Sequence, residues 1–256
     1  MNAAVPRPLR RVAVFGASGL LGSRVVAALR ADGAEVIAFA RATAHIAPHP
    51  GVFARVFDSR DAETARSVDA TYDAAILALP ASAVAAALAA LRGRTPTLVV
   101  LADHRIPAPE IPDAAVLRYG DIFGDGVLGR FRPVLEGLAP WAASGREGDS
   151  ASPLFAPTDP RDIARAAVRA ARDAVRGGFL VTGGLVDSPS GIEARFAAAL
   201  RARGLPVRQD APRMTPETAV CSAAPEDARG DLGFRPRFDF EASLAELLDR
   251  GDTGLR

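Results

Sequence analysis

The segment that most constrains the fold is a short apolar run followed by three evenly spaced glycines. Arg11–Phe15 has the composition of a buried strand, and Gly16, Gly19 and Gly22 follow it directly. Apolar residues then recur at helical spacing until an Asp-Gly pair at 32–33, which is a typical helix end. The chain is therefore predicted to open with a strand, a glycine-rich turn and a helix.

Strand and helix patterns continue to alternate beyond this opening. Further strands are predicted at Val36–Phe39, Val52–Phe57, Ala74–Leu79, Thr97–Ala102, Ala115–Tyr119 and Phe179–Val181. Helices are predicted at Asp61–Val68, Ala81–Leu91, Pro160–Arg176, Gly191–Arg203 and Phe240–Arg250. This alternation predicts an α/β fold, a Rossmann-type doubly wound parallel sheet with helices on both faces.

The glycine turn has the chemistry of a phosphate site. Glycine allows a tight turn and lets the backbone approach a pyrophosphate closely, while Gly22 lets the helix pack against the sheet. The free N–H groups and the positive end of the helix dipole then favour an anion. The alternative is that the glycines serve packing alone. Because the turn lies between a strand and a helix, the sequence favours a nucleotide site.

The end of the second strand indicates which dinucleotide is bound. An acidic residue there would accept a hydrogen bond from a ribose 2′-hydroxyl, but Phe39, Ala40 and Arg41 provide none. Arg41 suits a 2′-phosphate, so we expect NADP, with NAD as the alternative; Arg41 as a solvated surface residue is the other interpretation. We expect a single domain over 1–256, with a dinucleotide-binding core at 1–120 and a small C-terminal substrate-binding or capping region at 121–256.

The sequence also resembles the short-chain dehydrogenase/reductase superfamily, and more closely its NAD-dependent epimerase/dehydratase branch of extended or atypical members. The motifs that carry the resemblance run in family order over nearly the whole chain: Val12–Gly22, Asp58–Asp61, Leu117–Gly124, Pro157–Ala164 and Asp231–Arg237. The resemblance implies a Rossmann fold and an adenine-contacting turn at Asp58 and Ser59. The predicted cofactor site then comprises Gly16, Ser18, Gly19, Leu20, Leu21, Gly22, Arg41, Asp58, Ser59, Ala78 and Leu79.

The resemblance fails at the catalytic centre. The family works with a tyrosine and a lysine four residues later, on a helix between the fifth and sixth strands, with a serine or threonine nearby. All 31 basic residues of this chain are arginine, and the twelve residues between Ala102 and Ala115 are too few for that helix and its loops. Tyr72 and Tyr119 stand elsewhere. Because the missing helix usually forms the family's dimer interface, the oligomeric state is left open.

Asp103 and His104 stand at the end of the fifth strand, where the family carries its serine or threonine. Ligands of open parallel sheets lie beyond the carboxyl ends of the strands, and histidine exchanges protons near neutral pH. His104 is therefore the candidate catalytic acid or base, and Asp103 the candidate carboxylate that orients it. The alternative is that Asp103 caps a turn and His104 is a surface loop residue.

Composition excludes several other classes of protein. The net charge of +1 lacks the basic excess of a nucleic-acid binder, and a single cysteine, Cys221, excludes an intrachain disulfide. The uncharged stretch Ala74–Leu91 is rich in alanine and interrupted by Pro80, which favours strand, turn and helix over a membrane span. We expect a cytoplasmic protein with a small-molecule substrate and with no nucleic-acid or membrane partner.

Two weaker patterns favour structural interpretations. His45 and His49 are four residues apart, but neighbouring prolines prevent a regular helix and no third ligand is evident, so metal binding is not expected. Interleaved acidic residues favour a solvated helix face over a surface for an acidic partner. That face carries five arginines: Arg161, Arg165, Arg169, Arg172 and Arg176.

Three functions remain open from the sequence. The first is an NADP-dependent oxidoreductase or epimerase-like enzyme acting on a small metabolite. The second is a catalytically degenerate protein that binds a dinucleotide as a sensor or partner, and the third is an enzyme that reuses the pocket for non-redox chemistry. The missing lysine and helix favour the last two, whereas the glycine turn and Asp58 favour the first.

Overall fold

A computed structural model describes residues 7–103, 111–127, 156–207 and 232–250. Its strands are β1 (Arg11–Phe15), β2 (Glu35–Ala40), β3 (Val52–Val56), β4 (Ala74–Leu77), β5 (Leu98–Asp103), β6 (Ala114–Tyr119), β7 (Asp121–Ile122), β8 (Pro157–Thr158) and β9 (Gly177–Val181). Seven of these strands form one sheet in the order β3-β2-β1-β4-β5-β6-β9, and every neighbouring pair is parallel. The predicted Rossmann-type α/β fold is confirmed.

The helices of the described residues are α1 (Leu20–Ala31), α2 (Ala81–Leu91), α3 (Pro160–Asp173), α4 (Pro189–Ala202) and α5 (Phe240–Arg250). They lie where apolar residues recur at helical spacing in the sequence. The stretch Ala74–Leu91 folds as β4, a turn and α2, as its proline predicted. No helix of the described residues is long and apolar enough to cross a membrane.

The helix predicted at Asp61–Val68 is wrong, because only a 3₁₀ turn forms at Thr64–Ser67. The Thr64 hydroxyl lies 3.0 Å from the carbonyl oxygen of Asp58 and 2.7 Å from that of Asp61. The Ser67 hydroxyl donates to the carbonyl oxygen of Val56, 2.7 Å away. Such side-chain hydrogen bonds to the backbone compete with a regular helix.

The central strands explain why the sheet carries long apolar runs. Val12–Phe15 and Ala74–Leu77 are fully buried, as expected for parallel strands covered on both faces. At the edge of the sheet, by contrast, Phe53 and Val56 of β3 are about half exposed. The sheet is therefore packed most tightly at its centre.

An aromatic cluster lies on one face of the sheet beside the carboxyl ends of its first strands. The rings of Phe15 and Phe39 stack with centroids 4.5 Å apart, and Phe57 meets Phe15 edge-on at 4.9 Å. Tyr72 packs edge-on against Phe39. This packing fixes Phe57, the residue from which the polar turn after β3 begins.

The chain divides into two compact units. The first spans Met1–Tyr119, Ile163–Val181 and Pro225–Arg235 and contains the seven-stranded sheet. The second spans Gly120–Asp162, Thr182–Ala224 and Pro236–Arg256; it contains the β7–β8 pair and a core that includes Phe123, Phe196 and Phe240. The predicted division into a dinucleotide-binding core before residue 120 and a substrate-binding region after it stays a prediction. The strand β9, which lies after residue 120, belongs to the seven-stranded sheet.

Candidate functional site

A cavity of about 550 Å³ opens at the carboxyl ends of β1, β2, β3 and β4. Four turns build it, one after each of these strands. The residues that line it are Gly16, Ser18, Gly19, Ala40, Arg41, Phe57, Asp58, Ser59, Arg60, Ala78, Leu79, Pro80, Ser82 and Ala83. Its volume lies within the usual range of small-molecule and cofactor sites.

Two of the three motif glycines are required by the packing of the protein itself. Gly16 has a φ of +76°, and a Cβ atom on it would lie 2.2 Å from the carbonyl oxygen of Ala78. A Cβ atom on Gly22 would lie 2.1 Å from the carbonyl oxygen of Gly16. Neither position can therefore hold a larger residue without movement of the backbone.

Gly19 differs from the other two glycines. Its φ of −80° and ψ of 171° are available to any residue, and a Cβ atom on it would meet a single neighbour, the carbonyl oxygen of Gly16, at 3.2 Å. Gly19 lines the cavity and is the N-cap of α1, with no capping hydrogen bond from a side chain. The space before it and the N–H groups of the first helical turn are thus available to an anionic ligand.

A second helix also begins at the cavity. Pro80 is the N-cap of α2 and makes no side-chain capping hydrogen bond, and Ser82 and Ala83 of its first turn line the cavity. The positive ends of two helix dipoles therefore face the same space.

The polar wall of the cavity carries three charged side chains. Arg60 donates its backbone N–H and its Nε to Oδ1 of Asp58, at 3.0 and 3.1 Å. Its Nη2 donates to Oδ2 of Asp58 at 2.8 Å. These hydrogen bonds lower the pKa of the Asp58 carboxyl from 3.8 to about 2, and Arg41 makes a smaller contribution. Asp58 is therefore a carboxylate throughout the physiological pH range, and the wall has a surplus of one positive charge.

The structure brings most of the predicted cofactor residues together. Those that line the cavity are Gly16, Ser18, Gly19, Arg41, Asp58, Ser59, Ala78 and Leu79. The other three, Leu20, Leu21 and Gly22, belong to α1 and are not among the lining residues. Sequence reasoning missed Ala40, Phe57, Arg60, Pro80, Ser82 and Ala83. Arg60 was detectable, because it stands two residues after a predicted site carboxylate.

The predicted catalytic pair is only partly described. Asp103 is half-buried at the carboxyl end of β5, in register with Tyr119 of β6, and it is not among the cavity's lining residues. His104 lies outside the described residues, so its role stays a prediction. Tyr72 is only 4% exposed within the aromatic cluster, and burial raises the pKa of its phenol. Tyr72 is thus unsuited to exchanging protons with a ligand.

Four of the five arginines of the predicted face lie on α3, and Arg176 follows the end of this helix at Asp173; all five have partners within the chain. Arg161 contacts Asp159 and Glu246, Arg169 contacts Asp173, Arg172 contacts Asp32, Arg176 contacts Asp113, and Arg165 lies over the ring of Phe234. Arg161, Arg169, Arg172 and Arg176 thus each have an acidic partner within the chain. Near His45 and His49, the described residues contain no group of three side chains suited to a metal ion.

Solved structures provide the comparison with known proteins. The Bordetella bronchiseptica enzyme WbmF in complex with NAD⁺ matches with a TM-score of 0.69 and 14% identity, over 96% of this chain and 93% of that one. The UDP-N-acetylglucosamine 4-epimerase from Bacillus cereus matches with a TM-score of 0.64 and 16% identity, over 94% and 97% of the two chains. This chain has the Rossmann fold of these enzymes.

A third match, MoeE5 in complex with UDP-glucose and NAD, has a TM-score of 0.67 and 18% identity, over 96% of this chain and 100% of that one. No protein-family model matches the sequence, and comparison with curated proteins gives no match. The likeness is therefore one of fold along nearly the whole chain, at low sequence identity. It agrees with the fold implied by the epimerase/dehydratase motifs.

Proposed function

We propose that this chain binds a nicotinamide adenine dinucleotide in the cavity and is an epimerase-like or oxidoreductase protein that acts on a small metabolite. The observation that carries the proposal is Gly19. Packing within the protein requires glycine at positions 16 and 22. At position 19 it does not, and Gly19 lies at the N-terminus of α1, next to the open space of the cavity. A ligand whose phosphates approach the backbone at this point accounts for that choice.

The cavity residues fit the parts of such a dinucleotide. The N–H groups at the start of α1 would hold the pyrophosphate, and Arg41 at the end of β2 would pair with a ribose 2′-phosphate. Asp58 and Ser59 after β3 would contact the adenine, and Ala78 and Leu79 would line the ribose side. NADP is therefore the preferred cofactor in this proposal, although two of the similar structures named above, those of WbmF and MoeE5, are complexes with NAD⁺ or NAD.

A bound nicotinamide dinucleotide would supply hydride exchange with the substrate. Among the chain's own residues, His104 is proposed as the acid or base, and Asp103, the last residue of β5, as the carboxylate that orients it. MoeE5 is described with UDP-glucose and with UDP-glucuronic acid, so UDP-sugars are the first substrates to test.

A second candidate is a protein that binds the dinucleotide without turnover. It is favoured by the absence of lysine from the whole sequence and by the short connection from β5 to β6, residues 104–113. Incubation with NAD(P) and UDP-sugars, followed by separation of the products, distinguishes the two. Binding without conversion of any sugar supports the second candidate.

Replacement of Gly19 tests the dinucleotide site. Gly19→Ala is expected to fold normally, since its one close contact needs a shift of only a few tenths of an ångström, and to bind NADPH at least about tenfold more weakly. Arg66→Ala is the control, because the Arg66 side chain is exposed and is not a lining residue. If calorimetry detects no binding of NADP(H) or NAD(H) by the unaltered protein, the proposal is wrong.

A further inference from the structure

The sequence Asp-x-Arg occurs at two described places and folds into the same fork at both. At Asp159–Arg161 the arginine donates its backbone N–H and Nε to Asp159 Oδ1, at 2.8 and 2.9 Å, and Nη2 to Oδ2 at 2.7 Å. At Asp58–Arg60 the same three donors reach the same two oxygens, at 3.0, 3.1 and 2.8 Å. We refer to these as the buried fork and the cavity fork.

A carboxylate offers about four acceptor positions, of which the arginine of each fork fills three. In the buried fork the fourth position, on Asp159 Oδ2, is filled by the hydroxyl of Ser243 at 3.0 Å. Gly124 closes over the same oxygen, since a Cβ atom there would lie 2.4 Å from Oδ2. All four acceptor positions of the Asp159 carboxylate are thus filled by donors of the protein itself, three from Arg161 and one from Ser243.

The cavity fork has no such fourth donor. Among the described residues, the hydrogen bonds to the Asp58 carboxylate come from Arg60 alone. The position on Oδ2 that corresponds to the Ser243 contact belongs to a residue that lines the cavity. A ligand in the cavity can therefore fill it with one N–H or O–H donor.

The order of the strands indicates which part of a dinucleotide meets this acceptor. The phosphate turn follows β1, Arg41 follows β2 and Asp58 follows β3, and these strands are adjacent in the sheet. Neighbouring strands are about 4.8 Å apart, so Asp58 lies roughly 10 Å across the sheet from the phosphate turn. That separation suits the base, at the far end of the nucleoside, better than the ribose next to the phosphates.

We propose that Arg60 is a positioning residue, which fixes the Asp58 carboxylate so that a single acceptor on Oδ2 selects a purine with a 6-amino group over one with a 6-oxo group. This inference rests on the proposed dinucleotide site, in which Asp58 contacts the adenine, and adds to it the role of Arg60. A 6-amino group donates to the remaining acceptor, whereas a 6-oxo group presents an acceptor at the same place, and the base has to shift to bring its N1–H to Oδ2 instead. Arg60 would thus determine how strongly the proposed site distinguishes adenine from hypoxanthine.

The experiment compares NAD with its hypoxanthine analogue, and AMP with IMP, by titration calorimetry. The unaltered protein is expected to prefer the adenine form by on the order of tenfold, the value of a hydrogen bond to a charged group. Arg60→Ala is expected to reduce the preference to within about threefold, because the freed carboxylate rotates and takes water instead. Arg60→Lys, which keeps the charge but cannot form the fork, is expected to resemble Arg60→Ala.

Two further variants separate positioning from other effects. Asp58→Asn is expected to abolish or reverse the preference, since an amide can donate to a 6-oxo group. Arg66→Ala, an exposed arginine of the neighbouring turn that is not a lining residue, is the control and is expected to leave the preference unchanged.

Several outcomes would overturn the inference. Equal affinity for the two bases in the unaltered protein, or an unchanged preference in Arg60→Ala, would show that Arg60 does not act through Asp58. If Arg60→Ala weakens only NADP relative to NAD, then Arg60 contacts the 2′-phosphate instead. When dinucleotides bind without base preference, this inference alone fails; when none binds, the proposed function fails.

Discussion

The cavity fork and the buried fork share one local geometry but lie in different surroundings. In the buried fork the Asp159 side chain is fully buried and that of Arg161 is 23% exposed, whereas Asp58 and Arg60 of the cavity fork are 22% and 76% exposed. Each fork also has a different charged neighbour. Glu246 accepts a hydrogen bond from Arg161 of the buried fork, whereas Arg41 lies near Asp58 of the cavity fork. The Asp-x-Arg sequence thus determines the hydrogen bonds within the fork, and the surroundings determine whether a ligand can reach it.

The largest expected effect comes from breaking the buried fork. Arg161→Ala leaves Asp159 as a buried carboxylate without its main partner and is expected to cost about 3–5 kcal/mol of unfolding free energy. Urea denaturation followed by circular dichroism measures this loss. Arg60→Ala is the matched variant, and its urea midpoint is expected to fall far less, because the Arg60 side chain is mostly solvated and an exposed ion pair contributes little to stability.

Equal destabilisation by the two variants would contradict this comparison. It would mean that the exposed fork supports the fold as much as the buried one, so that Arg60 could not be assigned to ligand selection. A small effect of Arg161→Ala would instead mean that water or a neighbouring donor replaces the guanidinium beside Asp159.

The next largest effect is expected at Arg41, the charged residue that lines the cavity beside Asp58 and Arg60. Arg41→Ala is expected to weaken NADPH binding by about 1.5–3 kcal/mol, the value of a charge-assisted contact, and to leave NADH nearly unchanged. Calorimetry with both cofactors measures the difference. Equal losses for NADPH and NADH would show that Arg41 does not contact the 2′-phosphate.

The features that sequence reasoning predicted correctly depend on neighbours along the chain. The strand–turn–helix at Arg11–Ala31 follows from local apolar spacing and glycine conformation. The wrong helix at Asp61–Val68 shows the limit of this reasoning, because Thr64 and Ser67 have good helical neighbours yet bond to the backbone of the preceding segment.

The features that were missed depend on contacts distant in sequence. Ser243 reaches Asp159 across 84 residues and Glu246 reaches Arg161 across 85, so no local pattern distinguishes the buried fork from the cavity fork. Likewise Ser82 and Ala83 reach the cavity only because β4 lies beside β1 in the sheet. The sequence thus predicted that the Asp58 carboxylate lies at the site, but not that an acceptor position on its Oδ2 is left for a ligand.

The smallest expected effect is the titration of the cavity fork itself. In the folded protein the Arg60 hydrogen bonds hold the pKa of Asp58 at about 2, below its ordinary value of 3.8. A depressed carboxyl pKa contributes stability above the unfolded value, and that contribution is lost as the pH falls from about 4 toward 2. Arg60→Ala should therefore match the unaltered protein in Asp58 charge at pH 7 and differ only in this acidic window.

Carboxyl-detected NMR should show the Asp58 pKa rising toward 3.8 in Arg60→Ala and staying near 2 in Arg66→Ala. An unchanged Asp58 pKa in Arg60→Ala would mean that the fork does not hold the carboxylate in solution, which would remove the basis for a single, oriented acceptor in the cavity.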